Sequence, residues 1–471
     1  QPDPALDFYR QLGVDEIFAK SEREWRSFHS GIEWQLPDPE WNAALLAIPA
    51  HLAMAFNDGA PDVTAINYNT YTRDAAYIIN VLQKAGASRL SRLGVRYLLR
   101  HPFSGRPFPE ADNPGQVIWS ADREEAFSGD PLFAREAMPR IRQLAILISW
   151  LRTTPVPHFV DPRTLEYGGD SKNGRRVRLE PGDCDGHHPE YTEAFDVAGL
   201  RAAADLAEAA GNSRDAAAWR STAAMLLSNY DREFSKELEN GYGRYSVLWP
   251  CHLYGLNDQK VRATFYGLGP QRMKSWRYFP LAAAHQSLLA GNRAAGAETI
   301  KSHLNSEMMS GWDVLDEGGP SASGGWQRVR TLWPRNVKEP GLNASVAEPH
   351  GWALAELWLL MRDALVFEDG SELRLLAGVP PSWFEEGEWG IGGVPVQEGR
   401  LTLQYVRRGD SGILETSLAG RSERTFVLNF AAATEATITA AGQTTRCAAG
   451  AECLVRFARG PVRVQFQERG R

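Results

Sequence analysis

Val346-Ala-Glu-Pro-His-Gly-Trp leads into a stripe in which Leu354, Leu357, Trp358 and Met361 fall at i, i+3, i+4 and i+7. That period is helical. Near residue 370 it stops. Leu401-Thr-Leu-Gln-Tyr-Val, Ile413-Leu-Glu-Thr-Ser-Leu, Thr425-Phe-Val-Leu-Asn-Phe, Glu435-Ala-Thr-Ile-Thr, Glu452-Cys-Leu-Val-Arg-Phe and Val462-Arg-Val-Gln-Phe follow. These runs are short, many alternate or are β-branched, and turn residues separate them. The switch predicts a helical domain over 1–369 and an antiparallel β-sandwich over 370–471. No catalytic cluster falls in the second part, so its expected role is structural.

Upstream, the pattern predicts helices over 15–28, 40–57, 72–86, 88–100, 133–153, 190–210, 213–234, 278–290, 293–307 and 350–366. Ala75, Ile78, Ile79 and Leu82 form one stripe, and Trp219, Ala223, Leu226 and Tyr230 another. Gly86 and Gly211-Asn212 end helices whose successors start at once, so the helices come as hairpins. Repeated hairpins over some 350 residues suggest a closed ring; the absence of a fixed-length repeat disfavours a regular solenoid. Stretches 101–131, 154–189, 235–277 and 308–349 are rich in Gly, Pro, Trp and charge. They are too aromatic for disorder, and as long loops they are expected to gather on one rim and build a site.

Composition narrows the function. The chain has 471 residues, 43% hydrophobic and 23% charged, which excludes a disordered, collagenous or disulfide-scaffold protein. No stretch has the roughly 18 apolar residues of a membrane span; the run Ala43 to Phe56, broken by Pro49 and His51, reads as a buried helix. A net charge of -7 argues against nucleic acid as a partner. Of the four cysteines, Cys447 and Cys453 flank an apparent hairpin tip, either bridged or as two thiols. Cys184 and Cys251 lack any zinc spacing, so neither metal nor cofactor is expected. The start Gln-Pro-Asp-Pro, without Met, fits a mature end after signal cleavage, as in a periplasmic or secreted protein; a trimmed chain would look the same.

Fifteen tryptophans are many for this length. Trp119, Trp249, Trp312, Trp326 and Trp333 sit beside Gly, Pro, Ser, Asp or Arg rather than in apolar stripes. Aromatic faces in polar loops suit sugar rings, although any single Trp also serves as a core anchor. Carboxylates cluster in the same loops. Arg73 and Asp74, after Tyr71, open a helix; the helix dipole alone accounts for Asp74, and together the pair could clamp sugar hydroxyls. Gly182-Asp-Cys-Asp-Gly-His-His-Pro-Glu carries Asp183, Asp185 and Glu190 into the next helix. Ser310-Gly-Trp-Asp-Val-Leu-Asp-Glu holds Asp313 and Glu317, and Glu348 and His350 precede the last helix. Glycoside hydrolysis needs such a set: one protonated carboxyl as acid and a second as base or nucleophile.

Tyr71-Thr-Arg-Asp-Ala-Ala-Tyr, Ser310-Gly-Trp-Asp and Ala347-Glu-Pro-His-Gly-Trp together resemble the six-hairpin glycosidases, (α/α)6-barrel enzymes such as glucoamylases, trehalases and α-L-rhamnosidase-like proteins. Leu375-Leu-Ala-Gly-Val-Pro and Gly390-Ile-Gly-Gly-Val-Pro-Val resemble the domain that follows the rhamnosidase barrel. The resemblance implies an exo-acting, inverting glycoside hydrolase with a carbohydrate substrate. It places one carboxylate mid-barrel and one late: Asp183 as acid and Glu348 as base, with Asp185, Glu190 and Glu317 in reserve. Tyr71, Arg73, Asp74, Trp119, Asp185, Glu190, Trp249, Trp312, Asp313, Trp326, Trp333 and His350 are the expected substrate contacts. A phosphorylase of the same fold, a lyase and an inactive sugar-binding protein are the competing readings. Sugar, linkage and oligomeric state stay open.

Overall fold

In a computed structural model the described residues are 10–29, 31–64, 69–106, 108–236, 238, 242–272, 276–306, 309, 311–317, 349–421, 423–458 and 460–467. Helices are numbered in chain order: α1 Val14–Phe28, α2 Pro39–Met54, α3 Thr72–Lys84, α4 Ser88–Arg100, α5 Asn113–Ser128 and α6 Pro131–Thr153. Then follow α7 Pro189–Ala209, α8 Ser213–Phe234, α9 Gln259–Tyr266, α10 Tyr278–Leu289, α11 Arg293–Leu304 and α12 Gly351–Leu365.

Burial sorts these into two rings. Every residue of α3 and of α12 is buried. In α8 only Ala216, Trp219, Ala223, Leu226 and Tyr230 are, the stripe expected from the sequence. A helix covered on all sides must lie inside, and a one-faced helix outside. Inner α12 packs on α3, α3 on α5, α5 on α7, and α10 on α12. Between α7 and α10 the inner position is filled by an irregular segment that starts with the short 3-10 turn Gly243–Tyr245. The buried amide of Gln286 on α10 stands in for the missing helix bonds. Its Oε1 accepts from the N–H groups of Leu248 (2.7 Å) and Trp249 (3.1 Å), and its Nε2 donates to the Trp249 carbonyl (2.6 Å). Buried backbone groups need such partners.

Two elements correct the loop assignment. The stretch 101–131 contains α5, and 235–277 contains α9. Helix α5 buries Asn113, Gln116, Ser120, Asp122 and Glu124, so it shows no apolar stripe. Some of those polar groups find partners on neighbouring helices: Glu124 accepts from Ser91 and Arg92, and the Ser120 carbonyl from Gln83. Close approach also needs glycine here. A Cβ on Gly115 would stand 2.3 Å from the Phe195 carbonyl oxygen, and one on Gly199 would stand 2.6 Å from the Gly115 Cα. Inner helices α5 and α7 therefore touch backbone to backbone.

The strands are β1 Glu33–Gln35, β2 Phe56–Asn57, β3 Ala60–Pro61, β4 Phe159–Val160, β5 Tyr167–Gly168, β6 Val177–Arg178, β7 Val366–Asp369 and β8 Glu372–Leu375. They continue as β9 Glu388–Val396, β10 Gly399–Arg408, β11 Ser411–Gly420, β12 Thr425–Ala431, β13 Ala436–Ala440, β14 Gln443–Cys447, β15 Glu452–Phe457 and β16 Val462–Phe466. One sheet runs β1-β9-β10-β11-β16-β13-β14 and the facing one β15-β12-β8-β7. All pairs in this sandwich are antiparallel except β8 with β12, which is parallel. Its strands begin at Val366, directly on α12, and its edge strand β1 comes from ahead of the barrel. Cys447 and Cys453 are bridged. They do not flank a hairpin: β14 belongs to one sheet and β15 to the other, so the bridge ties the two layers together.

Candidate active site

All inner helices point their N-termini to one end of the ring. Each first turn leaves N–H groups without helical partners and carries partial positive charge, so carboxylates are stabilised there. The mouth holds Asp74 on α3, Glu110 and Asp112 ahead of α5, Asp185 and Glu190 around the start of α7, and Glu317 before α12.

Arg73 organises one wall. Its Nε donates to Asp112 (3.0 Å) and its Nη2 to Glu110 (3.1 Å) and to the Cys184 sulfur (3.1 Å). The Cys184 thiol donates in turn to Asp112 at 3.3 Å. Arg73 is 4% exposed. Its Nε and Nη2 donors hold two carboxylates and the loop 182–188 together, a charge-assisted clamp.

On the opposite side stand Asp74, His350 and Glu317. The His350 Nδ1 accepts the Ala353 N–H at 3.2 Å, which caps α12. Burial pushes the imidazole down to about 3, so it is neutral. With Nδ1 accepting, the ring proton sits on Nε2. That atom lies 3.6 Å from Asp74 Oδ1 and 3.9 Å from Glu317 Oε1. Burial raises the Asp74 carboxyl to about 7, against the pull of Arg73 beside it. Tyr278 stacks on Trp352 with centroids 4.0 Å apart and lies 5.5 Å from the His350 ring. Burial, with Glu317 and then Asp74 adding, raises the Tyr278 hydroxyl.

The rim is built by Asp185. Its N–H donates to Glu110 (2.6 Å), its carboxylate accepts from the Tyr242 hydroxyl (3.2 Å), and it pairs with Arg106. Arg106 lies over the Tyr71 ring at 5.3 Å. Tyr242 stacks on His188 at 3.8 Å, and its N–H donates to Glu190 at 3.1 Å. Tyr71, Asp74, Asp185, Glu190, Glu317 and His350 thus lie together at the mouth.

Other candidates land elsewhere. The Asp183 carboxylate accepts the Glu180 N–H at 2.8 Å and is committed to its own turn, while its carbonyl accepts from Ala111. Trp249 is 2% exposed and stacked on His285 at 4.5 Å; Trp119 is 6% exposed within α5. Neither has a face to offer a sugar, so both are corrected to barrel packing. Trp312 is 51% exposed, and its carbonyl is held by His51 Nε2 at 2.9 Å. Burial, with Glu40 adding, raises the neighbouring Asp313 to about 6. Trp326, Trp333 and Glu348 lie outside the described residues. Glu110, Asp112, Arg106, Tyr242, Tyr278 and Trp352 were missed. The first two precede the Asn113-Pro114 helix start, a signal that could have found them. Among the described residues no three His, Cys, Asp or Glu side chains are placed to hold a metal ion.

No protein-family model matches the chain, and no curated protein matches its sequence. Solved structures do. The chain superposes on an α-L-rhamnosidase from Dictyoglumus thermophilum with TM-score 0.54 and 9% identity, over 93% of this chain and 51% of that one. A rhamnosidase from Bacillus sp. GL1 superposes with TM-score 0.51 and 12% identity, over 82% and 42%. The chain spans about half or less of the length of these proteins. At such identities the likeness establishes the fold alone: an (α/α)6 barrel followed by a β-sandwich.

Proposed function

We propose that the chain is a glycoside hydrolase, exo-acting and inverting, on the end of an oligosaccharide. One observation carries the reading: a buried carboxyl raised to about 7 and a second carboxylate face one neutral imidazole N–H at the mouth of a closed ring. The acid role passes from Asp183 to Asp74, which is protonated near neutral pH as an acid must be. Asp74 gives its proton to the glycosidic oxygen as the bond to the anomeric carbon breaks. A water attacks that carbon from the other face and yields its proton to the second carboxylate, Glu317 or Glu348. The Cys447–Cys453 bridge supports the reading of a secreted or periplasmic protein, since such bonds persist in oxidising compartments.

The test is turnover of a panel of aryl glycosides and oligosaccharides by the wild type, Asp74→Asn, Glu317→Gln and Glu348→Gln, with the product anomer followed by NMR. Loss of turnover in Asp74→Asn with binding retained supports the assignment. Turnover that requires phosphate makes the protein a phosphorylase, and binding without turnover across the panel makes it a sugar-binding protein.

A further inference from the structure

The outer wall near the mouth carries a cavity of about 510 Å³ lined by Arg96, Leu99, Arg100, Phe133, Glu136, Ala137, Arg140 and Arg163. Four arginines face one carboxylate on a chain whose net charge is -7. Arg96 alone takes that carboxylate, with Nε and Nη2 on the two Glu136 oxygens at 3.1 and 2.8 Å. Arg140 donates to the Leu99 carbonyl at 2.8 Å and to Gln143, and Arg100 to the Arg96 carbonyl at 3.2 Å. Three guanidiniums, of Arg100, Arg140 and Arg163, therefore stand around the cavity without a salt bridge among the described residues, Arg163 feeling the charge of Asp161. Its floor is apolar: Leu99, Phe133 and Ala137 are 8%, 2% and 3% exposed. The field reaches His101, whose imidazole is lowered by burial and then by Arg100 and Arg140.

We propose that this groove is a secondary binding site for an anionic saccharide segment, bearing carboxylate or sulfate groups. A volume of this size accommodates a small ligand. Guanidinium groups bind planar or tetrahedral oxyanions through paired N–H donors, and apolar side chains receive the C–H faces between the charges. The groove lies where α4 ends and the loop toward Arg106 and Glu110 begins. That the anion belongs to a saccharide rests on the glycosidase reading; the cationic groove does not.

The experiment is titration calorimetry of the full chain with an oligogalacturonate, an uncharged oligosaccharide of equal length and inorganic sulfate. It uses the wild type and the double variant Arg100→Ser, Arg163→Ser, whose positions carry no ion pair of the fold. The oligogalacturonate is expected to bind the wild type, more weakly as salt rises, and its Kd to increase about tenfold or more in the variant, as expected for lost charge-assisted contacts. The neutral oligosaccharide should not show this loss. Turnover of a neutral aryl glycoside is measured on the same samples and should be unchanged by the substitutions. If that turnover is absent but the anion binds as described, the glycosidase reading fails and the groove stands. Equal binding by the double variant, no binding by the wild type, or sulfate binding as tightly as the oligogalacturonate overturns the proposal.

Discussion

Helix α3 begins with Arg73 and Asp74 at the mouth and ends with Lys84 at the seam with the sandwich. Both ends are buried and charged, yet their carboxylates respond oppositely. At the seam, Lys84 Nζ donates to both Asp363 oxygens (2.7 and 3.0 Å), Arg362 to Asp363 (3.0 Å), and His285 Nε2 lies 3.2 Å from Asp363. Arg362 also holds Glu368 and the carbonyls of Val366 and Pro395, both at 2.8 Å, which joins α12 to the sandwich. Burial there is overcome by Lys84 and the groups beside it, and Asp363 is held below its ordinary range. At the mouth carboxylates outnumber cations. Arg73 is shared between Glu110 and Asp112, and burial wins at Asp74 and Asp112, both raised. Matched charge makes a joint, whereas burial with too few cations beside it raises the carboxyl groups.

The strongest break in this contrast is Asp74→Asn. If the mouth is catalytic, kcat falls about 10²–10⁴-fold, the range of general acid–base catalysis, with little change in Tm. A kcat within severalfold of wild type moves the acid role to another carboxylate. Next comes Asp363→Asn, which strips the seam's matched charge. Removing one partner of a buried pair costs about 3–5 kcal/mol, read as a lower urea midpoint, while kcat of the folded fraction stays near normal. Should stability hold and kcat fall instead, the two ends are coupled.

pH sharpens the contrast. The folded-state value of Asp74, about 7, lies above its ordinary 3.8, so the fold favours its protonated form and that form is lost as pH rises through about 7. Activity should fall on that limb, and kcat against pH measures it. Asp363 is depressed, so its contribution is present above 3.8 and fades as pH falls below it. Urea midpoints measured between pH 6 and 3 should decline at the acid end, and the decline should be smaller in Asp363→Asn. The smallest effect belongs to Trp312→Ala: a severalfold rise in KM, about 1 kcal/mol, if its exposed ring meets sugar. An unchanged KM would confine Trp312 to the role of its carbonyl.

Much of the architecture was legible in periodicity. Trp219, Ala223, Leu226 and Tyr230 form the single buried face of α8, and Leu354, Leu357, Trp358 and Met361 are buried in α12. These segments bury apolar side chains, and apolar spacing is local information. Helix α5 was illegible for the converse reason: Ser120 and Glu124 resemble a loop until Gln83 is brought to the Ser120 carbonyl and Ser91 and Arg92 to Glu124. The site divides in the same way. Residue types and their place at helix starts marked Asp74, Asp185, Glu190, Glu317 and His350 as chemistry. Position along the chain could not rank them, because Asp183 and Asp74 are both acids ahead of or within a first helical turn. Their difference is what the fold supplies: Asp183 accepts the N–H of Glu180, while Asp74 is buried with His350 Nε2 3.6 Å away. The sequence by itself determined the two domains, the helical hairpins and a carboxylate-rich rim, since these follow from neighbours in the chain. Only the tertiary structure decided which carboxyl is protonated, because that depends on desolvation and on charges brought together from α3, α12 and the loops between them.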